Sequence, residues 1–199
     1  MLLTICASVR ILYIFLFLIG PFILLAQDDW QKKHKIAFSY TYGNQLLLDV
    51  SYRYQISLFN LNYYRKLVAK KKWGVDLMLN PHFGVTEFYL DNDDPIARIG
   101  NELGLNIGAI IHHKFLWDEL RMYCQLSLGP HYLSNAPLRQ NTGFIFSDNA
   151  SLGLIAKVES SAFIFIGAGI RHLSNANLSS PNRGINNTIF QLGCMFNVN

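Results

Sequence analysis

Apolar and polar residues alternate one by one along most of the chain after residue 35. Side chains of a β-strand point alternately to its two faces, so this period of two predicts strands with one apolar face and one polar face. In the last three such segments, nearly every even-numbered position from Phe146 to Phe196 is apolar. The pattern predicts eight strands, at residues 36–42, 54–68, 73–88, 100–113, 120–134, 144–158, 162–173 and 188–198.

Most of these segments have ten or more residues, which is the length a tilted strand needs to cross a bilayer. The connections after strands 2, 4 and 6 are short and the other connections are longer, as in barrels with periplasmic turns and extracellular loops. We therefore predict an all-β fold, an eight-stranded antiparallel transmembrane β-barrel whose interior is filled by side chains. A soluble lipocalin-like barrel is the alternative, and it would turn the apolar parity inward.

Two connections carry further expectations. The alternation changes phase near Ile56 to Phe59, and we expect a bulge or a loop to absorb the change. The loop after strand 3 contains Asp91, Asp93 and Asp94, which could ligate a divalent ion. A solvated acidic loop is the more economical interpretation, because the glycine and the distal glutamate of a calcium loop are absent.

The chain begins with a leader. Arg10 precedes an apolar run that ends in Leu24-Leu25-Ala26, which is typical of a signal peptide cleaved before Gln27. We predict a signal peptide at residues 1–26 and a barrel domain at residues 27–199. A single transmembrane anchor is the alternative, but Gly20-Pro21 interrupts the run.

Composition excludes several function classes. Charged residues make up only 15% of the chain, and the net charge of +4 is spread out except at Lys70-Lys71-Lys72, so nothing favours nucleic acid as a partner. Cys124 and Cys194 lie on the apolar parity of their segments and fit small wall residues better than a disulfide. The histidines 82, 112, 113 and 131 have no cysteine or carboxylate at metal-ligand spacing, so we expect no metal and no cofactor.

The chemistry of the chain is concentrated at the end of strand 7. His172 and Ser174 are two residues apart, and in a strand they project from the same face. A serine nucleophile and a histidine base within hydrogen-bond reach are the minimal components of an ester hydrolase.

The residues around this pair, R-H-L-S-N-A followed by P-N-R-G-I-N, resemble the signature of the outer-membrane lipid A 3-O-deacylases, the acyloxyacyl-hydrolase-like family. The resemblance implies His172 as general base, Ser174 as nucleophile, and Asn175 and Asn182 as residues that bind or orient the oxyanion. It also implies a serine ester hydrolase in the bacterial outer membrane, with lipid A or lipopolysaccharide as its substrate. Gly184 would let the loop backbone approach that substrate.

One position departs from the family pattern. The family enzymes usually carry a glutamate that orients the histidine, and this chain has Asn186 there, with no acidic residue after Glu159. A three-residue turn between strands 6 and 7 would pair Val158 with Ala162, and the same register sets Asp148 opposite His172. We therefore predict Asp148 as the orienting acid, with Asn186 as the alternative orienter.

A non-catalytic outer-membrane barrel with a structural or adhesive role is the competing hypothesis. It is favoured by the missing glutamate and by a final segment, 196–199, without a terminal aromatic residue. Near the extracellular rim, Arg139 and Arg171 could pair with lipid A phosphates, with simple solvation at the surface as the alternative. The sequence leaves open which acyl chain would be removed and what the oligomeric state is.

Overall fold

The computed structural model describes residues 30, 32–48, 50–90 and 95–198. Its strands are β1 His34–Asn44, β2 Tyr54–Ala69, β3 Trp73–Phe88, β4 Arg98–Phe115, β5 Trp117–Leu133, β6 Gly143–Lys157, β7 Ala162–Ser174 and β8 Ile185–Val198. Each strand pairs with the next in chain order, and β8 pairs antiparallel with β1, so the sheet closes into the predicted eight-stranded barrel. The predicted signal peptide and the acidic loop 91–94 lie outside the described residues. Within the described ranges, no helix is long and apolar enough to span a membrane.

Short and long connections alternate between the two rims. Residues 70–72, 116 and 158–161 make short turns at the rim where β1 begins and β8 ends. Loops 134–142 and 175–184 lie at the opposite rim, together with the described parts of loops 45–53 and 89–97. This is the predicted alternation, and it makes the rim with the long loops the extracellular one.

The apolar parity of the strands faces outward, except at Tyr54, Ile56 and Leu58 in the first half of β2. Leucine and isoleucine side chains on the outer wall are about half or more exposed, as at Leu103 (64%), Leu126 (58%), Leu152 (65%) and Ile170 (61%). The lipocalin-like alternative is wrong, because it requires these side chains to be the buried ones. A continuous apolar exterior of this size suits a lipid environment.

Side chains fill the barrel interior. One apolar cluster lies towards the extracellular rim and includes Tyr54, Ile56, Phe88, Leu133 and Leu173. A second lies towards the periplasmic rim and includes Tyr64, Met78, Tyr123, Phe163 and Phe165. Buried polar residues occupy the level between the two clusters, among them His82, Glu102, Asn106, His131 and Arg171.

Three local predictions differ from the structure. The bulge expected near residues 56–59 is absent, since Ile56 and Leu58 simply contribute to the apolar cluster inside the barrel; the irregularity of β2 lies between Lys66 and Val68. The turn between β4 and β5 is a single residue, Leu116, with a positive φ of 60°. Strand β8 begins three residues earlier than predicted, at Ile185, which draws Asn186 out of the loop and into the sheet.

Candidate functional site

Three polar side chains form one row across β6, β7 and β8 near the extracellular rim. Asp148 is paired with His172, and His172 is paired with Asn186. The hairpin register predicted from the turn at residues 159–161 is therefore correct. All three residues have the parity of the outer wall, so the row faces the lipid side of the barrel.

Asn186 is the residue that bonds the imidazole. The Nδ1 atom of His172 lies 2.6 Å from Oδ1 of Asn186. An amide oxygen only accepts hydrogen bonds, so Nδ1 is the donor, and in the neutral imidazole Nε2 keeps its lone pair. Asp148 is exposed and makes no hydrogen bond to His172 in the part of the chain that the structure describes. Of the two predicted orienters, Asn186 thus occupies the geometric position and Asp148 lies directly across the ring from it.

Ser174 is the last residue of β7 and is half-buried like His172. It is paired with Phe146 and shares the outward parity of His172. Residues two apart on a strand are separated by about 7 Å at Cα, a span that a hydroxyl and an imidazole can bridge with their side chains. Ser134, which directly follows β5, lies on the opposite face from the buried His131 and accepts a hydrogen bond from the Asn101 N–H.

Asn175 and Asn182 shape the loop that follows Ser174. The backbone N–H of Asn175 donates to Oδ1 of Asn182 at 2.8 Å, and the side-chain amide of Asn175 donates to the backbone oxygen and the hydroxyl of Ser179. The amide of Asn182 donates to Oδ1 of Asn177 at 2.9 Å. These bonds fold the loop back over the end of β7, so either amide would have to exchange a loop bond in order to contact an oxyanion.

Gly184 contacts the imidazole itself. Its φ is +68°, and a Cβ at this position would lie 2.7 Å from Cε1 of His172. The position therefore requires glycine twice, once for the backbone conformation and once for the space that the ring occupies. The sequence predicted a close approach of this backbone to the substrate, and the structure adds the approach to His172.

Side chains from two other loops bond the backbone of Asn186 and Gly184, the residues next to the imidazole. The sequence did not predict these contacts. The backbone N–H of Asn186 donates to the hydroxyl of Tyr52 at 2.6 Å, and Gln45 Nε2 donates to the backbone oxygen of Asn186 at 2.9 Å. The guanidinium of Arg139 lies 3.8 Å over the ring of Tyr52 and donates through Nε to the backbone oxygen of Gly184 at 2.8 Å. Arg139, predicted as a phosphate ligand, thus bonds the loop backbone. We call Tyr52, Gln45 and Arg139 the loop clamp.

A buried ionic network lies behind the row, inside the barrel. Arg171 was predicted to lie at the lipid A surface, and this prediction is wrong. Its side chain points into the lumen and forms an ion pair with Glu102. His131 Nδ1 lies 2.5 Å from the same carboxylate oxygen, and His82 Nε2 lies 3.6 Å from it. The network ties β3, β4, β5 and β7 together directly behind His172.

The members of this network include metal-ligating residue types. Ligand atoms of His82, Glu102 and His131 lie within 4.8 Å of one another, a grouping that the sequence spacing did not reveal. Arg171 already occupies the shared carboxylate oxygen. The guanidinium neutralises the buried carboxylate, so the arrangement forms a cross-lumen ion pair without any cation.

A groove of about 600 Å³ runs along the outer wall and ends at the row. Its floor is lowered at Ala150, which lies between the larger residues Leu126 and Ile170 in the same cross-strand row. Leu48 and Val50 of the first extracellular loop border the groove. The remaining apolar and polar lining includes Ile107, Leu128, Asp148, His172 and Asn186. An apolar groove that opens sideways towards lipid and ends at a histidine fits a hydrocarbon chain with a polar group at one end.

The closed barrel, its apolar exterior and the site on its outer wall define an outer-membrane β-barrel. Comparison with known families is consistent with this class: the model of the lipid A 3-O-deacylase (PagL) family matches residues 58–194. The chain belongs to that family, and it is an outer-membrane protein.

One solved structure shows the same fold, and two further structures are similar to the chain to a lesser degree. The crystal structure of the outer membrane enzyme PagL matches with a TM-score of 0.59 at 16% identity, covering 79% of this chain and 97% of that one. Neisserial surface protein A matches with a TM-score of 0.48 at 9% identity, covering 83% and 97%. The attachment invasion locus protein Ail of Yersinia pestis gives 0.45 at 15% identity, covering 82% and 96%. No curated protein sequence matches the chain.

Proposed function

We propose that this protein hydrolyses an ester-linked acyl chain of lipid A in the outer leaflet, with Ser174 as nucleophile and His172 as general base. The observation that carries the proposal is the His172–Asn186 hydrogen bond at the end of an apolar groove on the lipid-facing wall. At this depth a membrane-embedded substrate presents its ester bonds while its acyl chains stay in the bilayer. The substrate class itself comes from the family to which the chain belongs.

In the proposed reaction, Nε2 of His172 takes the hydroxyl proton while Ser174 Oγ attacks the ester carbonyl carbon. The tetrahedral intermediate collapses, the C–O bond to the sugar breaks, and His172 returns the proton to the leaving alkoxide. Water, activated by the same imidazole, then releases the fatty acid from Ser174. Asn175 and Asn182 are the candidate oxyanion donors, each through the exchange of a loop bond.

The two residues that flank His172 would share the role of the orienting acid. Asn186 fixes the tautomer and the ring orientation through its amide oxygen. It carries no charge, so it compensates the imidazolium only weakly. Asp148, across the ring in the same row, supplies the negative charge. The proposal thus gives Asn186 the orienting role and Asp148 an electrostatic one.

The test is mass spectrometry of lipid A after incubation with the purified protein. We expect the wild-type protein to remove one acyl chain, and Ser174→Ala to abolish the reaction while the barrel stays folded. Ser134→Ala is the matched control, because Ser134 is likewise a serine at the extracellular end of a strand, directly after β5. Unmodified lipid A with the folded wild-type protein would favour the non-catalytic barrel instead.

A further inference from the structure

Lysines and arginines are distributed differently between the two rims of the barrel. All nine lysines lie at or beside the rim that carries the short turns, from Lys32 and Lys33 before β1 to Lys157 at the end of β6. The opposite rim has arginines only, and two of these stack on aromatic rings: Arg53 over Tyr89 and Arg139 over Tyr52. The periplasmic rim is therefore the lysine rim of the barrel.

Five exposed cations at this rim form one continuous surface, which we call the lysine patch: Lys33, Arg65, Lys70, Lys71 and Lys72. The pairing of His34 with Arg65 brings the start of β1 beside the end of β2. The chain then turns through Lys70 to Lys72 into β3, with Lys70 N–H bonded to the oxygen of Trp73 at 2.9 Å. The patch thus covers the arc of β1, β2 and β3.

None of the carboxylates that the structure describes forms an ion pair with a cation of this arc. Asp76 of β3 is buried in the lumen, where it pairs with Lys35. Asp118 forms its ion pair with Lys114 at the adjoining turn between β4 and β5, and the charge of Lys71 also acts on it. Glu119 and Glu159 likewise belong to the β4–β5 and β6–β7 sides of the rim. The patch presents its charge outward.

The apolar wall begins directly next to the patch. Leu67, Trp73 and Leu77 point outward and are 59%, 41% and 42% exposed. Tryptophan in an outer-membrane barrel lies at the level of the lipid headgroups. Lys72 precedes Trp73, so the ammonium groups of the turn stand at the depth of lipid phosphates and not far out in the aqueous phase.

We propose that the lysine patch binds the headgroups of anionic glycerophospholipids in the periplasmic leaflet. A zwitterionic headgroup brings its own cation to its phosphate, whereas phosphatidylglycerol leaves the phosphate charge to be paired by the protein. Each lysine near an anionic membrane surface strengthens the attraction about fivefold. Several ammonium groups on one arc therefore select anionic lipid on that side of the barrel. The site is separate from the row at His172, at the other end of the strands.

The experiment measures the association of spin-labelled phosphatidylglycerol and phosphatidylcholine with the full-length processed protein in bilayers of the two lipids. At physiological ionic strength we expect phosphatidylglycerol to associate about threefold more strongly or better. The preference should fall towards one in about 1 M salt, where the screening length is about 3 Å. The variant Lys70→Gln/Lys71→Gln/Lys72→Gln should lose most of it, and Arg183→Gln, an exposed cation on the opposite rim, should keep it.

Several results would overturn the proposal. One is equal association of both lipids with the wild-type protein, and another is an unchanged preference in the triple variant. Folding of the triple variant is checked by heat-modifiable migration. If it does not fold, the single variant Lys71→Gln takes its place. If the protein sediments with insoluble cell-wall polymer in a lysine-dependent way and shows no lipid preference, the patch binds that polymer and not lipid. Labelling of Lys71→Cys from outside intact cells, in a background without Cys124 and Cys194, would place the patch in the wrong leaflet.

Discussion

Replacing Asp148 by Asn separates the charge of the carboxylate from its shape. Asp148 and His172 are directly paired across β6 and β7, which sets their side-chain carbons about 5 Å apart. Two unit charges about 6 Å apart interact by about 0.7 kcal/mol in water and by about 3 kcal/mol at an effective dielectric constant of about 20. The imidazolium forms only during the reaction, so this energy is lost from the transition state. We expect Asp148→Asn to reduce kcat about threefold to a hundredfold.

The assay is single-turnover deacylation, followed by mass spectrometry of lipid A in mixed micelles. Asn186→Glu is a second way to place a negative charge beside the imidazole. Its carboxylate would take the position of the amide oxygen that now accepts the Nδ1 hydrogen. We expect it to raise kcat and to restore much of the rate in the Asp148→Asn background. The loss in Asp148→Asn should also shrink in high salt.

Two outcomes would refute this reasoning. An unchanged kcat in Asp148→Asn, together with a large loss in Asn186→Ala, would show that Asp148 is merely solvated. An equal loss in the presence and absence of Asn186→Glu would show that Asp148 acts on folding or on substrate binding, since a purely electrostatic role is replaceable by another nearby carboxylate.

Three further substitutions test the surroundings of the site in the same assay. Gly184→Ala should abolish most activity, because its Cβ would meet the His172 ring at 2.7 Å; Gly143→Ala carries a similar backbone strain, at a φ of +89°, but meets nothing within 4 Å and should stay active. Tyr52→Phe removes the hydroxyl that bonds the backbone of the orienting residue and should lower kcat about tenfold, about the rate effect of one lost hydrogen bond, with little change in KM. Ala150→Leu fills the floor of the groove and should raise KM most for substrates with long acyl chains.

Matched controls exist for the last two variants. Tyr42→Phe removes a tyrosine hydroxyl that bonds Gln55 away from the row, and it should leave kcat unchanged. Ala156→Leu adds the same volume lower on the outer face of β6, outside the groove lining. Equal effects of Ala150→Leu and Ala156→Leu would mean that the groove does not hold the acyl chain.

The fold was predictable because its main signal is local. In a barrel that faces lipid on one side and a packed interior on the other, each strand repeats the alternation at every second residue. Even the pairing of Asp148 with His172 follows from one short turn, since register propagates along a hairpin. The same reasoning misplaced a bulge near Ile56 and Leu58, because part of the interior is apolar and the parity of apolar residues there does not mark the outer wall.

The surroundings of the site were less predictable because they depend on distant contacts. Tyr52 reaches Asn186 from 134 positions away, and Arg171 reaches Glu102 from 69 positions away. Alternation assigns a face to each of these residues but cannot say which partner lies there. Arg171 also shows that a charged residue near a rim can be buried: it follows the lumen parity of β7, which the alternation already implied.

The groove on the outer wall has a consequence for how any occupant reaches it. It opens sideways into the bilayer, so a lipid arrives by diffusion in the membrane plane and never has to leave that plane. Encounter rates then depend on the mole fraction of the lipid among its neighbours, and the total volume of the sample has no influence on them. Inert lipids or detergent that dilute the surface would lower the rate of encounter at constant bulk concentration. A tightly packed leaflet would lower it too, because lateral diffusion of the lipids is slower there.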